Sequence, residues 1–149
     1  MPRAPFNVLV IAYRVVGETH EYAVLHRADV EMWQFVAGGG EDDETPDQAA
    51  RRELAEEAGI TSDRWMKLDS FASVPRDAFP GAPWPDEVYV VPEYCFAVDV
   101  GAAEVVLCHE HDCFEWLDYE ATRKRLTWDS NRNALWELRE RLARQRPDP

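Results

Sequence analysis

The chain has 149 residues, a length suited to one domain around a single core. Hydrophobic residues make up 46% and charged residues 30%, the make-up of an ordinary globular protein, and the formal net charge of −13 excludes a general nucleic-acid binder, which would present a basic face. No stretch reaches the roughly 18 apolar residues that span a bilayer, and Met1–Phe6 hold no long apolar leader, so a cytoplasmic protein with no membrane or nucleic-acid polymer as partner is expected.

Phe6–Val16 is rich in β-branched and aromatic residues and predicts a strand, Gly17–His20 a turn, and Glu21–Arg27 a returning strand. A short strand over Trp33–Val36 precedes the glycine run Gly38-Gly39-Gly40. Thr45-Pro46-Asp47-Gln48 then combines a threonine N-cap, proline at the first helical position and glutamine at the third, which is a capping box. Gly59 stands where a left-handed C-terminal residue is expected, so the spacing predicts a helix over Pro46–Ala58.

Trp65–Val74 reads as a strand, and the proline-rich Pro75–Pro85 as a loop bordering a site. Glu87–Val100 reads as a strand broken or bulged near Pro92. Glu104–Leu107 and Phe114–Leu117 are expected as short strands. In the tail, Ala134, Leu135, Leu138 and Leu142 recur at helical spacing, predicting a helix from Asp129 to about Arg144. Trp136 is expected as a core or lid residue; Trp33, Trp84 and Trp128 suit either packing or base stacking. The order of elements predicts an α+β fold, a mixed β-sheet flanked by helices, in one domain over residues 1–149.

Cys95, Cys108 and Cys113 are too few and odd in number for a disulfide framework. Cys95 lies in an apolar run and reads as a small buried hydrophobe. The segment Cys108-His109-Glu110-His111-Asp112-Cys113 offers zinc-type donors, but more tightly spaced than the usual ligand pairs.

The central helix breaks its own stability rules. At 100° per residue Glu53, Glu56 and Glu57 share one side, beside the apolar stripe Ala50, Leu54 and Ala58. Glu53 and Glu57 form a like-charged i,i+4 pair, and Glu56 and Glu57 sit in the last turn, where the helix dipole prefers cations. An acidic solvated face is the plain reading of such a pattern. The glycine run upstream, read as a flexible loop able to approach the glutamates, and Glu44 before the N-cap favour a site instead, because hard divalent cations take several carboxylate oxygens and bridge to phosphates. Such a cation would also reconcile an acidic protein with a phosphate-bearing substrate.

Gly38, five residues, Glu44, seven residues, then Arg52-Glu53-Leu54-Ala55-Glu56-Glu57-Ala58-Gly59-Ile60 fill every fixed position of the Nudix box, and the chain is identified by them as resembling the Nudix hydrolases. The resemblance implies an α/β/α sandwich and metal-dependent attack of water on a phosphoanhydride, without a covalent nucleophile. It implies Mg2+, with Mn2+ as a substitute, held by Glu53 and Glu57, with Glu56 sharing coordination and the Gly38 carbonyl within reach. Arg52 would orient the glutamates and Glu44 support Arg52.

Trp33-Gln34, Glu110-His111, Phe114–Asp118 and Trp128-Asp129-Ser130-Asn131 resemble the dihydroneopterin triphosphate pyrophosphatase group of that family, whose relatives also accept nucleoside triphosphates. On this resemblance Glu110 completes the metal site or acts as general base. Trp33, Gln34, Gly39, Gly40, His111 and Asn131 are the candidate substrate contacts, and a small-molecule diphosphate is the partner. A homodimer is compatible with the family. The alternatives are a dinucleoside polyphosphate hydrolase using the same site, and a non-catalytic ligand-sensing module, in which box glutamates are usually lost.

Overall fold

Alternation along the first strand sets the layers. In the computed structural model, which describes residues 3–145, strand β1 (Arg3–Val16) is buried on both faces from Asn7 to Tyr13. Successive side chains of a strand point to opposite faces. Val8, Val10 and Ala12 therefore enter one core with Ala49, Ala50, Leu54 and Ala58 of helix α1 (Pro46–Ala58). Leu9, Ile11 and Tyr13 enter the other, with Ala134, Leu135, Leu138 and Leu142 of helix α3 (Asp129–Arg144). A sheet between two helical layers is the α/β/α sandwich expected of the sequence.

The sheet has seven strands. Beside β1 runs β6 (Val90–Asp99) in parallel, from Asn7↔Glu93 to Tyr13↔Asp99. The opposite edge of β1 is shared between two antiparallel strands: β4 (Val36–Glu41) along its first half and β2 (Thr19–Arg27) along its second. β5 (Trp65–Pro75) lies outside β6, while β3 (Met32–Gln34) and β7 (His111–Leu117) pair with β2. One parallel pair among antiparallel ones makes the sheet mixed. A third helix, α2 (Tyr119–Arg125), follows β7. Among the described residues no helix is long and apolar enough to cross a membrane.

Several expectations need correction. The glycine run is not a free loop, since Gly38, Gly39 and Gly40 are part of β4 and pair with β1. Glu104–Leu107 is not a strand; it packs as irregular chain across the end of α1, where the Val106 N–H donates to the Ala58 carbonyl at 2.8 Å. β6 begins at Val90 rather than Glu87 and is unbroken at Pro92. Pro92 lies one residue before the parallel register with β1 begins, and the irregularity falls instead on β5, between Lys67 and Phe71. Trp136 is 52% exposed, because one residue past Leu135 carries a side chain 100° off the buried stripe. Trp84 is buried within the proline-rich segment, its ring edge-on to Phe79 and its indole N–H donating to the Arg3 carbonyl at 2.7 Å.

Candidate active site

Helix α1 is set in place by its ends. The Gln48 N–H donates to Thr45 Oγ1 at 3.2 Å and the Thr45 N–H to Gln48 Oε1 at 2.9 Å, closing the capping box. At the other end Gly59 adopts φ 67° and its N–H donates to the Ala55 carbonyl. With Ala50, Leu54 and Ala58 against the sheet, the adjoining Glu53 and Glu57 are carried into the protein, at 9% and 5% exposure, while Glu56 stays outside.

A single guanidinium organises this face. Arg52 donates Nε and Nη2 to the two oxygens of Glu44, at 2.8 and 2.9 Å. Nη2 also donates to the Gly39 carbonyl at 2.8 Å, and Nη1 to Glu53 Oε1 at 3.0 Å and Glu56 Oε2 at 3.1 Å. Glu44 is held in turn by the Glu41 N–H at 2.8 Å. Glu57 Oε2 accepts from the Ala37 N–H at 3.0 Å, and its Oε1 faces His111 Nε2 at 3.8 Å, beyond hydrogen-bond reach. That imidazole nitrogen is buried without a hydrogen-bond partner among the described residues.

The carboxylates are electrostatically uncomfortable. Burial, with the Glu53 charge next in size, pushes the Glu57 carboxyl up to about 9. Burial also lifts Glu53 to about 7, against the pull of Arg52, with Glu56 and Glu110 adding to the rise. Burial keeps the His111 imidazole below its usual range. At Gly38 a β-carbon would stand 2.2 Å from the Glu53 carboxylate, so β4 can approach the helix only because no side chain intervenes.

These groups line a cleft of about 940 Å³. It includes Gly38, Arg52, Glu53, Glu56 and Glu57, together with Glu110 and His111 from the other side. Gln34, Gly39 and Asn131 also line it, although Asn131 is committed in part to packing, its Oδ1 accepting from the Phe35 N–H at 3.2 Å. Two candidates lie elsewhere. Gly40 faces the Phe6 ring, and the Trp33 indole is flanked by His26 and by the Arg125 guanidinium, 4.6 Å from its centroid.

Sequence reasoning missed Arg3, Asn7, Arg27 and Glu93, all of which line the cleft, whereas Phe79 lies on the proline-rich segment expected to border a site. Asn7 and Glu93 did leave a signal, as polar residues inside apolar strand runs. Of the Cys108–Cys113 segment, Asp112 and Cys113 join His26 in a trio whose donor atoms lie within 4.8 Å of one another, but none of the three lines the cleft. Cys95 is buried, as its apolar surroundings suggested.

The donor chemistry of the cleft fits a hard divalent cation. Glu53, Glu56 and Glu57 are oxygen donors, the two more buried of them are disfavoured as anions by desolvation and mutual repulsion, and the backbone of β4 at Gly38 passes directly beside Glu53.

The NUDIX domain model matches residues 5–137. A Listeria monocytogenes protein designated a NUDIX hydrolase superposes with a TM-score of 0.85 at 45% identity, over 95% of this chain and 96% of that one. The dihydroneopterin triphosphate diphosphatase of Escherichia coli is 28% identical over 144 residues, spanning 89% of this chain and 91% of the relative. An octanoyltransferase of Myxococcus xanthus is 39% identical over 106 residues, 70% of this chain; the match spans only 28% of that longer protein. The chain belongs to the NUDIX hydrolase family.

Proposed function

We propose that this protein is a magnesium-dependent pyrophosphohydrolase that cuts a nucleoside-triphosphate-like substrate, dihydroneopterin triphosphate or a (deoxy)nucleoside triphosphate, with release of pyrophosphate. The observation that carries this reading is the gathering of Glu53, Glu56 and Glu57 on one wall of a cleft, with Arg52 bonded to two of them. The similarity to the diphosphatase of Escherichia coli along nearly its whole length supports the choice of substrate class.

Glu53 and Glu57 hold the cation, Glu56 shares in holding it, and the Gly38 carbonyl adds a neutral oxygen. Bound magnesium, for which manganese can substitute, supplies the positive charge that offsets the phosphates and activates water. Arg52 keeps the glutamates in register through its bonds to Glu44 and Gly39. Glu110, exposed at the rim, takes a proton from the attacking water or adds a further ligand. Water adds to one phosphorus of the α–β anhydride, the bridging P–O bond breaks, and the products leave as a monophosphate ester and pyrophosphate. His111, Gln34, Gly39 and Asn131 face the substrate, while Trp33 and Gly40 act through packing. On this reading residues 1–149 form one catalytic domain acting on a small molecule in the cytoplasm.

The test is a product assay with magnesium over dihydroneopterin triphosphate, the common nucleoside triphosphates, a diadenosine polyphosphate, ADP-ribose and a nucleotide sugar, each with a chelator control. Chelator-sensitive pyrophosphate release, fastest on the pterin or a triphosphate, is expected. Faster cleavage of the diadenosine compound would instead support the dinucleotide reading.

A further inference from the structure

Away from the glutamates the cleft holds a second set of buried polar groups. Asn7 on β1 and Glu93 on β6 are each 7% exposed, face each other in the parallel register, and both line the cleft. Arg3 Nη2 donates to Asn7 Oδ1 at 3.2 Å, and Asn7 Nδ2 donates to Glu93 Oε2 at 2.6 Å. The chain of bonds runs one way, from cation to amide to carboxylate. Among the described residues the Glu93 carboxylate accepts that bond and no other. An ionised carboxylate has about four acceptor positions, and leaving a buried one nearly unused is costly. The surplus acceptors at Glu93 call for a donor from within the cleft.

Position within the sheet says which part of a ligand that donor belongs to. Gly39, Asn7 and Glu93 are successive partners across β4, β1 and β6. Two strand spacings, roughly 10 Å, separate Glu93 from Gly39. Gly39 in turn holds Arg52, and its neighbour Gly38 abuts Glu53. With phosphates at the glutamates, Glu93 meets the far end of a nucleoside-sized molecule. Phe79, with the Arg3 guanidinium 4.4 Å over its ring, gives that end an aromatic wall.

We infer that Glu93, aligned by Asn7 and Arg3, is the specificity residue of this cleft, accepting the paired ring N–H and amino N–H of a 2-amino-4-oxopyrimidine edge. Guanine and pterin rings both carry that edge. Adenine lacks the ring N–H and hypoxanthine lacks the amino group, so either leaves a carboxylate lone pair unmatched. The inference rests on the hydrolase reading, which puts the phosphates at the glutamate end.

The test is direct binding, with no turnover involved. Calorimetric titration with magnesium would compare the α,β-methylene triphosphates of guanosine and inosine, with the α,β-methylene analogue of dihydroneopterin triphosphate as competitor to separate a pterin from a guanine source. The guanosine compound should bind about 10- to 100-fold more tightly, as befits one charge-assisted hydrogen bond. Glu93→Gln should bring the ratio close to one. Equal affinities in the unaltered protein would overturn the inference, and that comparison stands even if the variant does not fold. An unchanged ratio in a folded Glu93→Gln variant would overturn it too. Discrimination without pyrophosphate release from any substrate would keep Glu93 as the reader of the ring and remove the hydrolase reading; release without discrimination would do the reverse.

Discussion

Arg52 and Glu44 meet in a two-pronged ion pair, Nε to Oε2 at 2.8 Å and Nη2 to Oε1 at 2.9 Å, across the N-terminal turns of α1. The fork leaves the rest of the same guanidinium to reach the Gly39 carbonyl, Glu53 and Glu56 at once. A lysine cannot reproduce that planar set of donors. Arg52→Lys is therefore expected to lower magnesium-dependent kcat/KM by roughly 10- to 100-fold, the usual cost of losing a group that orients metal ligands. Wild-type kinetics at saturating magnesium would show the ion pair to be dispensable.

Glu57 combines deep burial with a single backbone bond, from Ala37. Glu57→Gln keeps an acceptor for that N–H and removes a carboxyl that burial already disfavours as an anion. Turnover should fall by at least about 100-fold, while the melting temperature of the chelated protein should not drop. Calorimetry and the pyrophosphate assay on the same preparation read both halves; retained turnover would refute the metal-ligand role.

Gly38 has no room for a side chain, since a β-carbon would lie 2.2 Å from the Glu53 carboxylate. In Gly38→Ala either Glu53 must swing away or β4 must lift from the helix. A displacement of about 1 Å at a catalytic group costs on the order of 100-fold in rate, and a loss of that size is expected in kcat. Single-turnover kinetics would check it, and an alanine variant with full kcat would contradict the close approach.

The pH dependence follows from the raised carboxyls. Burial, the leading cause for both, holds Glu53 at about 7 and Glu57 at about 9, above the ordinary 4.5 of a glutamate. Raised folded-state values mean the native protein binds these protons more tightly than the unfolded chain. The resulting stability is fully present below about pH 4.5 and is lost as pH climbs through 7 toward 9. Chelated protein should therefore melt several degrees lower at pH 9 than at pH 6, and magnesium should raise the melting point most at the alkaline end. Magnesium binding near pH 7.5 should release protons, visible as a buffer-dependent enthalpy. A melting point that rises from pH 6 to pH 9 in chelator would contradict this assignment.

Helix α1 was legible in the sequence down to its ends, because its signals are local: Thr45, Pro46 and Gln48 fix the start and Gly59 the stop within a few bonds of each residue. The terminal helix was legible for a related reason, the 3.6-residue recurrence of Leu135, Leu138 and Leu142. The glutamate cluster could be read too, as a helix face at odds with its own electrostatics. Helix α2 escaped notice although Asp118 caps it, with the side chain accepting from the Ala121 N–H, because seven residues are too few to show a period. The glycine run could not be recognised as strand, since its pairing depends on β1, some thirty positions earlier in the chain.

What the sequence determined by itself was whatever short-range chemistry encodes: caps, periodicity and the spacing of the box. Tertiary structure alone decided which residues from distant segments meet. It set Glu93 beside Asn7, eighty-six positions apart, by the parallel pairing of β6 with β1. It also turned Glu57 toward His111 and left Trp33 outside the cleft. Register and burial belong to the sheet as a whole, because a side chain's partner is set by the neighbouring strand and a shift of one residue would reverse every face.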